Sequence, residues 1–410
     1  MRLFIHDYAG HPFAVELSRF LASQGHEVMH AYAGSLQTPR GDIANHPDDP
    51  PSFTSRQVEM HPEYSQYKYS FRHRRRLEIA YGKKCAQTIR EWRPDAVLSA
   101  NTPTEAQEPV LAVCREIGAR FVMWVQDFYS IAVDKLVRKK IPVLGALIGS
   151  YYKRMERRQL RGSDGIVAIT EDFVPIMQSS FNVSADRISV IPNWAPLASL
   201  PVLDKGNPWS RSMGMNDHFV FLYSGTLGMK HNPEMLLQLA LQYRDTPGVR
   251  VVVISEGIGA RWLLDKKEEH QLKNLHVLAY QPFKTMPEVM ASADVLLTVL
   301  EPDAGIFSVP SKVLTYLCAQ RPLLLAVPGV NLASRIIVAT QAGITVEPTD
   351  LHGFLRAAES LRSNPARAQA CALAGRVYAE QTFNIEQIAA RFSKVLSIPA
   401  PETSQPPTSV

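Results

Sequence analysis

Short apolar runs, separated by stretches of helical period, recur along the whole sequence, and this alternation limits the folds open to the chain more than anything else. In the first half the runs are RLFIH (2–6), HEVMHAYA (26–33), DAVLSA (95–100), RFVMWVQD (120–127), GIVAIT (165–170) and ISVIPN (188–193). In the second half they are VFLYSG (220–225), VRVVVISEG (249–257), LHVLAYQ (275–281), ADVLLTVL (293–300), RPLLLAV (321–327) and GITVEP (343–348). Runs with so little polar alternation suit parallel strands covered on both faces. Between them, Phe13, Leu17, Phe20 and Leu21 share one helical face, with Glu16, Arg19 and Gln24 opposite. Asn232-Pro233 reads as a cap followed by the first helical residue. The pattern predicts an α/β chain of two successive Rossmann-like halves, and 410 residues is too long for one ordinary core.

The divisions follow from local chemistry. Residues 1–197 form the first expected domain, a Pro- and Gly-rich polar stretch at 198–218 the linker, and 219–375 the second domain. Residues 376–397 are expected to include a strongly amphipathic final helix that packs back on the first domain, with Asn384 as its cap. The tail at 398–410, which ends PAPETSQPPTSV, has no apolar face and is expected to be disordered. Cys85, Cys114, Cys318 and Cys371 are widely spaced with no CxxC pair, which fits a reducing compartment better than a disulfide framework or a zinc site. The first residues lack the long apolar core of a signal peptide, and the apolar stretch 141–149 falls short of the roughly 20 residues a spanning helix needs. The expectation is a cytoplasmic protein.

In open α/β sheets ligands bind beyond the carboxyl ends of the strands, and anions favour helix N-termini. Three loops are nominated by that rule. His6 to Pro12 follows the first strand, Ser224 to Lys230 follows the first strand of the second half, and Ser308 to Lys312 opens a later helix. Glycines there let backbone amides approach an anion, and Lys230 can neutralise a phosphate as a point charge. The plainer reading of each loop is turn chemistry or an ordinary helix start. Their joint placement at strand ends favours a diphosphate in the second half.

These residues also carry a family likeness. GHPFAVELSRFLASQGHEV, DGIVAITEDF with RISVIPNW, YSGTLGMKHN, VVISEG and ADVLLTVLEPDAGIFSVPSKVLTYLCAQRPLLL together resemble the retaining glycosyltransferases of family 4. VIPN and PSKVLTYL are the most specific segments, and the likeness runs up to the terminal tail. It implies a GT-B fold, two facing Rossmann-like domains with a nucleotide-sugar site in the interdomain cleft. The form of these motifs looks most like bacterial enzymes that build O-antigen, capsule or exopolysaccharide.

By that resemblance Gly10 and His11 face the donor phosphates and the acceptor, and Gly225 and Lys230 hold the diphosphate. Glu256 and Gly257 lie beside the nucleotide, Gln281 to Phe283 lie where the base is read, and Ser308 to Lys312, including Ser311, lie over the donor. The sequence also departs from the family pattern. Thr226 stands where an arginine is usual, Gln126 where a histidine is, and the usual glutamate pair falls on Phe307 and Thr315. Asp127 then becomes the candidate for positioning the acceptor hydroxyl, or it merely caps the following turn. Lys312 is expected to supply compensating charge.

The expected chemistry is electrostatic. Lys230, the amides of Gly225–Gly228 and the helix start near Ser311 would stabilise the leaving diphosphate, while His11 or Asp127 guides the acceptor. No cofactor and no metal is expected, since histidines and carboxylates are not clustered at ligand spacing.

The segment 135–161 is basic, with Arg138, Lys139, Lys140, Lys153, Arg154, Arg157 and Arg158 flanking an apolar stretch, and Glu156 as its one acid. This suits an interfacial helix pair on an anionic membrane surface, at the inner face of the plasma membrane. No aromatic stacking pattern or nucleic-acid motif accompanies the run, so nucleic acid is not expected as a partner. The expected partners are a nucleotide-sugar, with a uridine donor preferred on the resemblance, and a polyprenyl-diphosphate-linked or other lipid-linked acceptor. Two other readings stay open. One is a sugar-nucleotide epimerase of the same architecture, and the other is a catalytically silent partner subunit.

Overall fold

The computed structural model describes residues 1–34, 40–67, 70–140, 142–228, 231–307 and 311–399. It is an α/β protein with a seven-stranded and a six-stranded sheet, every strand pair parallel. The first sheet uses β1 (Arg2–Asp7), β2 (Glu27–Ala33), β3 (Phe53–Val58), β4 (Ala96–Ala100), β5 (Arg120–Val125), β6 (Gly165–Ala168) and β7 (Ile188–Val190), in the order β3-β2-β1-β4-β5-β6-β7. Its helices are α1 (Pro12–Ser23), α2 (Tyr64–Tyr67), α3 (Phe71–Trp92), α4 (Thr104–Ile117), α5 (Tyr129–Lys140), α6 (Pro142–Gly162) and α7 (Phe173–Phe181).

A short helix α8 (Pro208–Ser212) leads into the second sheet. Its strands are β8 (Phe219–Ser224), β9 (Val249–Ile254), β10 (Leu275–Leu278), β11 (Val295–Val299), β12 (Leu323–Ala326) and β13 (Gly343–Val346), in the order β10-β9-β8-β11-β12-β13. The accompanying helices are α9 (Pro233–Gln242), α10 (Ile258–Glu269), α11 (Met286–Ala291), α12 (Lys312–Cys318), α13 (Leu332–Thr340) and α14 (Leu351–Ser363). The last helices among the described residues are α15 (Pro365–Thr382) and α16 (Ile385–Leu396).

Alternate residues along the second sheet explain why its runs read as uninterrupted apolar stretches. Val220, Leu222, Val252, Ile254 and Leu296 point into one core, and Phe221, Tyr223, Val251, Val253 and Leu297 into the other. Both sheets reverse strand order beside their first strand, between β1 and β4 and between β8 and β11. Those are the crevices where such sheets bind ligands.

The structure departs from the sequence expectation in three places. β3 was not anticipated. It is an edge strand, and the polar alternation of FTSRQV carries a weak apolar signal. The 198–218 stretch is not a bare linker, because α8 docks on the second domain. The backbone N–H of Trp209 donates to Glu288 Oε2 at 2.9 Å and its indole to Gln281 Oε1 at 3.1 Å. The division at 375/376 falls inside α15, a single helix that packs on α12. It is α16 that crosses back to α1, β4, β5 and β6. The tail from 400 to 410 lies outside the described residues.

Candidate functional site

Two loops at the switch points build the first-domain side. Gly10, at φ +77°, turns the chain after β1 so that His11 becomes the N-cap residue of α1. Both oxygens of the buried Asp7 lie 3.1 Å from His11 Nδ1, and the His11 backbone N–H also donates to Asp7. Asn101, beyond β4, brings Nδ2 to 3.0 Å from the same ring nitrogen. Burial pushes the Asp7 carboxyl up, but the facing His11 ring and N–H more than reverse this and leave it at about 2. Burial pulls His11 down, and the Asp7 charge and hydrogen bond raise it above its ordinary value.

Beyond β4 and β5 a cavity of about 240 Å³ is lined by Tyr8, Arg74, Asn101, Gln126, Asp127 and Glu156, among others. Gln126 donates to Asn193 Oδ1 at 3.1 Å, which ties the end of β5 to the VIPN turn. Asp127 is exposed at the cavity, and its Oδ1 accepts from the Phe128 N–H at 2.8 Å. Capping and lining the cavity therefore coexist in one side chain. Glu156 is buried and turned inward, accepting from the backbone N–H groups of Tyr129 and Ser130 at 3.2 Å each. Burial raises it to about 7, opposed by the Ser130 hydrogen bonds and aided by Asp127.

In the second domain Gly225, at φ +132°, follows β8 and lets Lys312 lie against its Cα. Lys312 Nζ sits 3.8 Å from the Tyr223 ring centroid and hydrogen-bonds the Tyr223 hydroxyl. Burial pushes the Lys312 ammonium down to about 7. The Gly225–Gly228 loop is braced from several sides. Tyr316 accepts from Ser224 N–H at 2.7 Å, Tyr223 donates to Thr226 O at 2.7 Å, and Tyr280 donates to the Thr226 hydroxyl at 3.2 Å. Gly259, in the first turn of α10, presses on the loop so closely that a Cβ there would stand 2.5 Å from Leu227 O.

The structure thus groups Gly225, Thr226 and Lys312, with the half-buried Thr315 one turn along α12 and Ser311 exposed at its start. The exposed Glu256 joins this group through Tyr280, whose N–H it accepts at 3.4 Å. Gly257, at φ +104°, turns the chain into α10. Gln281 is engaged by Trp209, and Phe283 is half-buried in a 3-10 turn beside it. Lys230 and Ser308 lie outside the described residues. Asp7, Asn101 and Tyr223 were not singled out from the sequence, and Glu156 was named only as the one acid of the basic segment. The spacing of four between Asp7 and His11 across a glycine turn was the legible signal for the first.

The basic segment folds into the α5–α6 hairpin, and much of its charge is compensated within the protein. Arg138 and Lys153 both pair with Asp134, at 2.7 and 2.9 Å, and Arg158 pairs with Glu108. Asp134 stands one residue before the run counted from the sequence, which made the run look more cationic than it is. Arg157 donates to Ser180 O at 2.8 Å, Arg154 is exposed, and the side chains of Lys139 and Lys140 lie outside those described. Leu136, Leu144, Leu147 and Tyr151 are exposed on this hairpin. Among the described residues no helix is long and apolar enough to cross a membrane.

The sequence model of Glycosyltransferase Family 4 matches residues 12–198, most of the first domain. WcaI of Escherichia coli (strain K12), whose name assigns it to glycosyl transfer in colanic acid biosynthesis, is 23% identical over 312 residues, 74% of either chain. Anabaena Alr3699/HepE, solved in complex with UDP, matches with a TM-score of 0.68 at 14% identity, over 97% of this chain and 100% of that one. WaaG, a glycosyltransferase involved in lipopolysaccharide biosynthesis, matches with a TM-score of 0.69 at 15% identity, over 97% and 100% of the two chains. These last two likenesses show a shared GT-B fold.

Proposed function

We propose that this glycosyltransferase, which resembles the family 4 enzymes, moves a sugar from a uridine-diphosphate donor to a lipid-linked saccharide, with retention of anomeric configuration, in bacterial surface-polysaccharide synthesis. The observation that carries the donor half of this reading is the half-buried Lys312, whose ammonium lies close against Gly225 at a strand-order reversal. A partly desolvated cation beside a glycine loop is stabilised by an anion, and the diphosphate of a sugar nucleotide is such an anion. As the sugar–diphosphate bond breaks, negative charge grows on the leaving group. Lys312, the Gly225–Gly228 amides and Lys230 would meet it, each such contact being worth roughly 10²–10³ in rate. UDP bound in Alr3699/HepE supports the uridine preference.

The acceptor saccharide is proposed to enter the cavity bearing Asp127, with its hydroxyl oriented by His11 or Asp127. Its lipid is proposed to lie at the inner leaflet, met by the exposed apolar residues of the α5–α6 hairpin. The test is ligand-induced thermal shift with UDP-, GDP- and dTDP-sugars on the wild type and on Lys312→Met. Stabilisation by the uridine sugars that Lys312→Met abolishes is the expected result. No shift with any sugar nucleotide would overturn the donor reading.

A further inference from the structure

The cavity beyond β4 and β5 is lined by two glutamines whose amides are each held in one orientation. Gln159, fully buried on α6, spends its Nε2 hydrogens on the Thr104 carbonyl at 2.6 Å and on Glu108 Oε1 at 2.7 Å. Its Oε1 is left buried without a hydrogen-bond partner among the described residues. Such an acceptor carries a desolvation cost that a donating ligand removes. Gln107, on α4, is turned the other way. Its Oε1 accepts from Ser99 Oγ at 2.9 Å, which leaves its Nε2 donors for the cavity. The lining thus offers a ligand one amide acceptor and one amide donor.

The charges around these amides sort ligands by sign. Arg74 is matched by the buried Glu78, whose Oε1 accepts from Arg74 Nε at 2.7 Å and from the Tyr64 hydroxyl at 2.9 Å. That leaves Asp127, exposed at the cavity, and the inward-turned Glu156 as the carboxyl groups of the lining. Tyr8 and Tyr129 add aromatic rings to it. At about 240 Å³ the cavity lies below the roughly 300–1,000 Å³ of pockets that hold drug-sized ligands, so it has room for one sugar ring.

We propose that this cavity takes the terminal sugar of the acceptor as an uncharged ring, and that Gln159 is the residue that reads it: a ring hydroxyl donates to Gln159 Oε1 while another ring oxygen accepts from Gln107. This rests on the acceptor placement given above and names its substrate class. A hydroxyl both donates and accepts, so it can serve either amide. A carboxylate only accepts. It would leave Gln159 Oε1 unpaired and bring a second negative charge beside Asp127, so sugars of the uronic-acid type are excluded. The reaction that supplies the acceptor therefore ends its saccharide in a neutral sugar.

The test uses the full chain and saturation-transfer NMR with methyl glucoside, methyl galactoside and methyl glucuronide, each with and without saturating UDP-glucose. The neutral glycosides should bind in both conditions and the glucuronide in neither. Gln159→Met should weaken binding of the neutral glycosides about 5-fold. Asp127→Asn can still accept from the Phe128 N–H, and it should raise glucuronide binding at least about 10-fold. That variant keeps the test decisive if Gln159→Met fails to fold. Displacement of the glycosides by UDP-glucose would place them in the donor pocket and overturn the proposal. So would glucuronide binding equal to that of the glucoside, glycoside binding untouched by Gln159→Met, or glucuronide binding unchanged by Asp127→Asn. A wild type that binds UDP-glucose but no glycoside overturns this subsite alone. One that binds the glycosides but not UDP-glucose sinks the donor reading and leaves the subsite standing.

Discussion

Lys312 lies so close over Gly225 that a Cβ built at position 225 would stand 3.0 Å from Lys312 Cε and 3.1 Å from Nζ. The glycine therefore has two reasons to be one, its φ of +132° and the lysine it supports. Gly225→Ala should cost about 1–3 kcal/mol of stability through backbone strain and should push the ammonium off the loop. The expected outcome is a lowered Tm together with loss of the UDP-sugar thermal shift. A variant that loses stability but keeps the full shift would separate Lys312 from the nucleotide site.

Lys312 also predicts a proton balance. Its folded pKa is lowered by burial from 10.5 to about 7, so a diphosphate placed beside it should raise the value again. At pH 8 UDP binding should take up protons, seen as a dependence of calorimetric heat on buffer ionisation enthalpy. Affinity should fall as pH rises above 7. The sign for stability is the opposite. Between about 7 and 10.5 the unfolded chain binds the proton more readily, so the fold gains stability as pH rises through that window. Lys312→Met should then raise the Tm at pH 7 in the absence of ligand while abolishing the proton uptake. An unchanged buffer dependence in that variant would exclude Lys312 as its source.

The sheets were legible because both faces of each are covered. Every apolar run in the second half became a strand, since residues such as Val252 and Val253 serve opposite cores and leave no polar position between them. β3 was hidden by its edge position. The glycine loops were legible as strand-end turns, but the partners that shape them were not. Tyr223 and Lys312 are 89 residues apart, as far as chain distance is concerned unrelated. The charge of the α5–α6 hairpin was overread for a similar reason, because Glu108, which neutralises Arg158, is 50 residues distant. Such pairings are fixed by packing of elements, and local periodicity carries no record of them.

The hairpin yields a prediction from its apolar face. Leu144 and Leu147 are 53% and 67% exposed, so replacing both with serine removes little packing. The Tm should stay close to that of the wild type, since exposed changes of this kind stay within about 0.5 kcal/mol. Co-sedimentation with phosphatidylglycerol vesicles should fall several-fold. Binding that survives Leu144→Ser/Leu147→Ser but vanishes on Arg154→Glu/Arg157→Glu would make the attraction electrostatic.

The last helix ties the two domains in a way the linker does not. α16 carries Phe392, fully buried, into an aromatic cluster of the first domain, 4.8 Å from the Trp124 ring and 5.9 Å from Trp194. Phe13, two residues after His11, packs on both tryptophans at 5.4 and 5.5 Å, so the cluster also backs the loop that holds the imidazole. Trp194 in turn donates to Glu16 Oε2 at 2.6 Å. Truncating Phe392 to alanine leaves a cavity at the centre of this group and should cost about 3–5 kcal/mol. Trp124 and Trp194 make intrinsic fluorescence the natural probe, and the denaturation midpoint should drop with no change in the nucleotide-induced shift at low denaturant. A loss below about 1 kcal/mol would mean the cluster collapses around the gap, and α16 would then be a cover on the first domain and not part of its core.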